Sequence, residues 1–88
     1  MIKLDLKLEH KTQKEESYRQ DFPDGYVYVC LTNTPRSMRC YVELGADKEG
    51  NKYRFFDSKS FYTMEAFDRA KYWITETLIK YEKAFYKK

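Results

Sequence analysis

The chain has 88 residues, 42% of them hydrophobic and 35% charged, with a formal net charge of +3. That length leaves room for one core, so residues 1–88 are read as a single domain. The mix of apolar and charged residues excludes a disordered chain. No apolar run reaches the ~20 residues of a membrane span. The N-terminus alternates charge with leucine and lacks the apolar block of a signal peptide, so the expected location is the cytoplasm. Lys80, Lys83, Lys87 and Lys88 against Glu82 account for the whole +3, which puts the excess charge on a C-terminal tail and not across a polyanion-binding surface.

In chain order, Ile2, Leu4, Leu6 and Leu8 alternate with charged residues and predict a half-buried strand over the first ten residues. Residues 11–20 have no clear period and read as a polar loop or as one or two helical turns. Phe22-Pro23-Asp24-Gly25 is a turn, with Pro setting φ and Gly supplying positive φ. Three alternating segments follow, at 26–31, 37–44 and 52–57. Their aliphatic rows are Val27, Val29 and Leu31, then Met38, Cys40, Val42 and Leu44, with Tyr53 and Phe55 on the same side. The loop at 32–36 pairs Val29 with Cys40 and Tyr28 with Tyr41, and the turn at Asp47–Asn51 pairs Val42 with Phe55 and Tyr41 with Phe56. From about Thr63 the period becomes helical, with Thr63 or Ser60 as cap. Phe67, Ala70, Ile74, Leu78, Tyr81 and Phe85 form the apolar stripe. The expected architecture is therefore α+β: an antiparallel sheet of about four strands, packed on one face by a long C-terminal helix (β-β-β-β-α).

Two surfaces stand out. On the sheet face away from the aliphatic rows, Tyr26, Tyr28, Tyr41 and Phe56 stand among Arg39, Lys52 and Arg54. Flat rings among cations stack bases and contact phosphates, which predicts single-stranded nucleic acid, RNA or DNA, as ligand with RNA favoured. The bland reading is that these are cross-strand pairs stabilising a one-sided sheet. The second surface is on the helix. About 24 helical residues span roughly 36 Å, against roughly 23 Å for a strand of about seven. The helix therefore overhangs the sheet, and Tyr72, Ile79, Tyr81, Phe85 and Tyr86 are expected to form a seam covered by a protein partner, most simply a second copy in a homodimer.

Catalysis is not expected. His10 is the only histidine and lies in a polar strand end, Glu9-x-Lys11 and Pro23-Asp24 stand in the wrong order for a nuclease set, and no phosphate-binding glycine loop occurs. Cys30 and Cys40 fall on opposite faces by parity, so they form no disulfide and do not converge with His10 on a metal; no cofactor is expected. The strand-strand-strand-strand-helix order resembles that of the Pur-alpha family, which implies single-strand binding. The small, Lys- and Tyr-rich chain is also similar in style to phage accessory proteins, which implies the alternative of an inhibitor docking on a host or defence protein.

Overall fold

The computed structural model describes residues 3–33 and 38–86. Ile2, residues 34–36 of the expected loop, the first residue of the expected 37–44 strand and the lysines at 87 and 88 lie outside them. Five antiparallel strands follow one another as a meander: β1 Lys7–Lys11, β2 Glu15–Phe22, β3 Gly25–Asn33, β4 Met38–Glu49 and β5 Lys52–Phe61, ordered β1-β2-β3-β4-β5 across the sheet. Two helices, α1 Ala66–Lys80 and α2 Glu82–Phe85, cover one face. The fold is α+β as expected, with one strand more.

The extra strand is β2, in the segment read as a loop or helical turns. Its core-facing side carries only Tyr18 and Phe22 as apolar residues, with Gln20 between them, too sparse for a visible period. The first strand is shorter than its leucines suggest. Leu4 and Leu6 pack against the core from a stretch without regular structure, tied down by Gln20, whose Nε2 donates to the Lys3 carbonyl at 3.0 Å and whose Oε1 accepts from the Asp5 amide at 2.6 Å. Leu8 is exposed, beside a register shift between Leu8 and His10.

The face assignments of β3 and β4 match the alternation, but both registers differ. Val29 pairs with Val42 and Leu31 with Cys40, two residues from the expected pairing; Ala46, not Val42, pairs with Phe55. For the β4–β5 pair the reason is the second turn. β4 continues to Glu49, and the reversal is confined to Gly50 and Asn51, with Gly50 at φ 64°. Asp47, also left-handed at φ 54°, interrupts the alternation near the hairpin end. There the Tyr53 ring packs on Tyr26 at 5.0 Å instead of joining the core.

The core is Val27, Val29, Val42 and Leu44 from the sheet against Ala66, Ala70, Ile74 and Leu78 from α1. Small Ala66 and Ala70 let the helix approach the strands; Phe67 stacks on Tyr18 at 5.3 Å on one flank, and Trp73 meets Phe61 edge-on at 6.4 Å on the other. Neither Thr63 nor Ser60 caps the helix. Glu65 occupies the cap position without a side-chain bond, and the Ala66 amide donates to the Thr63 carbonyl at 3.0 Å.

The helix is also shorter than its periodicity. It breaks at Tyr81 (φ −117°, ψ 33°), so α1 spans 15 residues, roughly 22 Å, and does not overhang the strands. The break lets α2 turn Phe85 into the core, 0% exposed and edge-on to Phe22 at 5.4 Å. Phe85 occupies the space that a side chain at Gly25 would need: a Cβ there would stand 2.7 Å from its Cδ1. Gly25 is thus required for close approach and not for a positive φ, which it does not adopt.

Candidate nucleic-acid interface

Among the described residues no element covers the face opposite the helices, and the registers set out its side chains as a grid. Running from β2 to β5, one row is Ser17–Cys30–Tyr41–Ser60, the next Arg19–Tyr28–Glu43–Ser58 and the next Asp21–Tyr26–Gly45–Phe56; Glu15–Thr32–Arg39 closes the grid at the other end. The two-residue difference in register matters here. Tyr28 stands beside Glu43 and not Tyr41, while Tyr26 stands beside Gly45 and not Glu43.

Glu43 organises the middle of this face. It accepts the Tyr26 hydroxyl at 2.7 Å and the Tyr41 hydroxyl at 2.8 Å. Burial, then the Glu43 bond, push the Tyr26 phenol up to about 12. The Glu43 bond raises the Tyr41 phenol as well, because it favours the protonated form.

The expected ring platform is split as a result. The Tyr26 ring is occupied. It lies against Gly45, leaving no room for a Cβ there, meets Tyr53 edge-on and carries the Arg19 guanidinium 4.7 Å from its centroid. Phe56 is 59% exposed but has the bare Gly45 as its neighbour on β4. Lys52 and Arg54 stand near the hairpin tip, where Lys52 is in register with Glu49 and Arg54 is ion-paired to Glu49. What comes together is Tyr28, Tyr41 and Arg39. With Cys30 and Thr32 they line an open dent of about 320 Å³, large enough for one planar ring system. Arg39 is exposed at its rim, 5.8 Å over the Tyr62 ring.

The electrostatics are mixed. Glu15, Asp21 and Glu43 oppose Arg19 and Arg39 on the grid. Arg19 is bonded to Asp21 at 3.0 Å, and the Cys30 thiol donates to Glu15 at 3.0 Å. Arg19, Glu15 and Ser17 were not legible as members of this face because β2 was not; the alternation of Glu15, Ser17, Arg19 and Asp21 with Tyr18 and Phe22 was the available signal.

The expected helix seam does not form one surface. Phe85 is in the core, Tyr81 packs on Phe55 at 4.7 Å, and Tyr86 meets Phe22 edge-on at 5.7 Å. Tyr72 and Ile79 remain exposed on α1. Cys30 and Cys40 are free and on opposite faces, Cys40 in the core. His10 is exposed on the edge strand, opposite Ser17. No cluster of three or more metal-ligating side chains occurs among the described residues, and no helix among them is long and apolar enough to cross a membrane. No protein-family model, curated protein or solved structure matches the chain.

Proposed function

We propose that this is a non-enzymatic, cytoplasmic binding protein that takes single-stranded nucleic acid, RNA in preference to DNA, on the uncovered sheet face. The observation that carries the reading is the Tyr28–Tyr41–Arg39 dent: two rings and a guanidinium around a base-sized depression, on a face that no element covers among the described residues. The footprint is narrower than the whole aromatic row, since Tyr26 is committed to Gly45 and Arg19, and Arg54 to Glu49.

Stacking carries the affinity here, at ~1–3 kcal/mol per base. Phosphate neutralisation contributes little, because carboxylates outnumber guanidiniums on the grid. The salt dependence is accordingly shallow: at ~0.7 per phosphate for a single strand, one or two contacts give a log–log slope near −1. Fluorescence anisotropy with a labelled oligonucleotide tests this. Tyr28→Ala and Tyr41→Ala weaken binding about tenfold or more each. Arg39→Ala flattens the slope and Arg54→Ala leaves it unchanged. Absence of binding to RNA and DNA at low salt refutes the reading.

A second reading, an inhibitor docking on a host or defence protein, is favoured by one observation: Tyr72 and Ile79 are exposed apolar side chains on α1, away from the dent. Capture of a protein by a variant lacking Tyr28 and Tyr41 rings, with no nucleic acid bound by wild type, would support it instead.

A further inference from the structure

Between α1 and the edge strand β5 runs a groove of about 600 Å³ whose floor and wall include Phe61, Tyr72 and Trp73. β5 is the outermost strand on this side, and the Lys59 ammonium lies 5.3 Å from the Phe61 centroid and 5.8 Å from that of Trp73. Tyr72 is 70% exposed. An apolar wall of this kind, open beside an unpaired sheet edge, is a docking surface in search of an occupant.

The charges on the same flank of α1 identify one. Along this flank of the helix lie Glu65, Asp68, Arg69, the Tyr72–Trp73 pair, Glu76 and Lys80; Asp68 is ion-paired with Lys71 at 3.5 Å, which leaves Glu65, Arg69, the two rings, Glu76 and Lys80. At 3.6 residues per turn they fall within an arc of roughly 100°. Their signs run negative, positive, aromatic, negative, positive. Glu65 and Lys80 are equally far from the midpoint of Tyr72 and Trp73, and so are Arg69 and Glu76. The pattern is therefore its own complement when reversed. A second helix laid antiparallel about that midpoint opposes Glu65 with Lys80, Arg69 with Glu76 and ring with ring, and a two-fold axis makes each pairing occur twice.

We propose that this flank is an isologous dimer interface, in which α1 pairs antiparallel with α1 of a second copy about the Tyr72–Trp73 midpoint. The rings supply the buried area, at ~150–250 Å² each, and the charges select the register and orientation. All four charged residues are exposed in the monomer, and the contacts they make there are loose ones that a partner can replace: Arg69 to Glu65 at 3.8 Å, and the Lys80 ammonium 5.4 Å from the Tyr81 ring centroid. The two-fold differs from the seam expected from periodicity, since it uses Trp73 and leaves Phe85 and Tyr86 to the monomer. It also leaves the uncovered sheet faces of both copies accessible, so the dimer and the nucleic-acid reading stand or fall separately.

Charge reversal with the full chain is the test, read as mass against concentration by sedimentation equilibrium. Wild type reaches twice the 10.7 kDa chain mass. Arg69→Glu alone, and Glu76→Arg alone, set like charges against each other and raise the dissociation constant about tenfold or more. The double variant Arg69→Glu/Glu76→Arg restores opposite pairs and returns the constant to within about threefold of wild type. Circular dichroism confirms that each variant folds, as expected for exposed positions. A wild-type mass of 10.7 kDa at every concentration overturns the proposal; so does a dimer that ignores the single reversals, or a double variant as weak as the singles.

Discussion

Tyr26 lays its ring against Gly45, its cross-strand neighbour, so closely that no side chain fits at position 45. The bare glycine on β4 and the ring on β3 are one packing unit, sealed by Arg19 over the ring and by the hydroxyl bond to Glu43. This is the sheet device in which an aromatic compensates a glycine's missing side chain. Gly45→Ala should cost about 1–3 kcal/mol in urea unfolding, because the ring must leave. In a Tyr26→Ala background the same change should cost less than half as much; equal costs in both backgrounds would show the two residues to be uncoupled.

Phe85 gives a sharper stability contrast. It is fully buried against Phe22 and Gly25, although it follows the helix break and sits four residues from exposed Tyr81. Phe85→Ala should cost about 3–5 kcal/mol, enough to unfold a domain of this size or bring it close to unfolding. Tyr72→Ala, on the exposed flank of α1, should cost no more than about 0.5 kcal/mol at concentrations where the chain is monomeric. Thermal melts of the two variants check this, and similar losses would place Phe85 outside the core.

Thiol chemistry reports the two faces. Burial pushes the Cys40 thiol up to about 12. Cys30 is raised too, by burial first and then by its bond to Glu15. Both stay protonated at neutral pH, and the thiolate is the reactive form. Maleimide should therefore modify Cys30 more slowly than a free cysteine and Cys40 only on unfolding, as intact-mass time courses would show; equal rates would contradict the strand parity. The same shifts make stability fall in alkali. Cys40 and Tyr26 keep their protons to about 12 in the folded chain but lose them near 9 and 10 when unfolded. The stability they contribute is complete below pH ~9 and lost as the pH climbs toward 12. Urea midpoints measured at pH 8 and pH 11 should show the drop, and an unchanged midpoint would contradict both burials.

The sequence carried the faces of the sheet further than its pairing. Period-two alternation assigns Val29, Cys40 and Val42 to one side and Tyr28 and Tyr41 to the other whatever the register, because slips of two or four residues preserve parity. Register depends on the turns, and Lys48 and Glu49 extend β4 through residues that look like loop. The two-residue difference between β3 and β4 decided the site: it set Glu43 beside Tyr28, and the β4–β5 difference set Phe56 beside Gly45, which divided the platform. The helix break at Tyr81 had no glycine or proline to announce it, since it follows from docking Phe85 on Phe22, a contact between residues far apart in sequence. The β5 flank of α1 was legible in the order of its charges, but only the groove beside Trp73 showed which flank to read.

The proposed site for single-stranded nucleic acid is the dent between Tyr28, Tyr41 and Arg39. Amide and aromatic chemical-shift mapping during titration with a short unlabelled RNA tests it most directly. Shifts should concentrate on Tyr28, Cys30, Arg39 and Tyr41, with smaller ones at Phe56 and none along the Tyr72–Glu76 flank of α1. Shifts confined to α1, or no shifts at low salt, would contradict it.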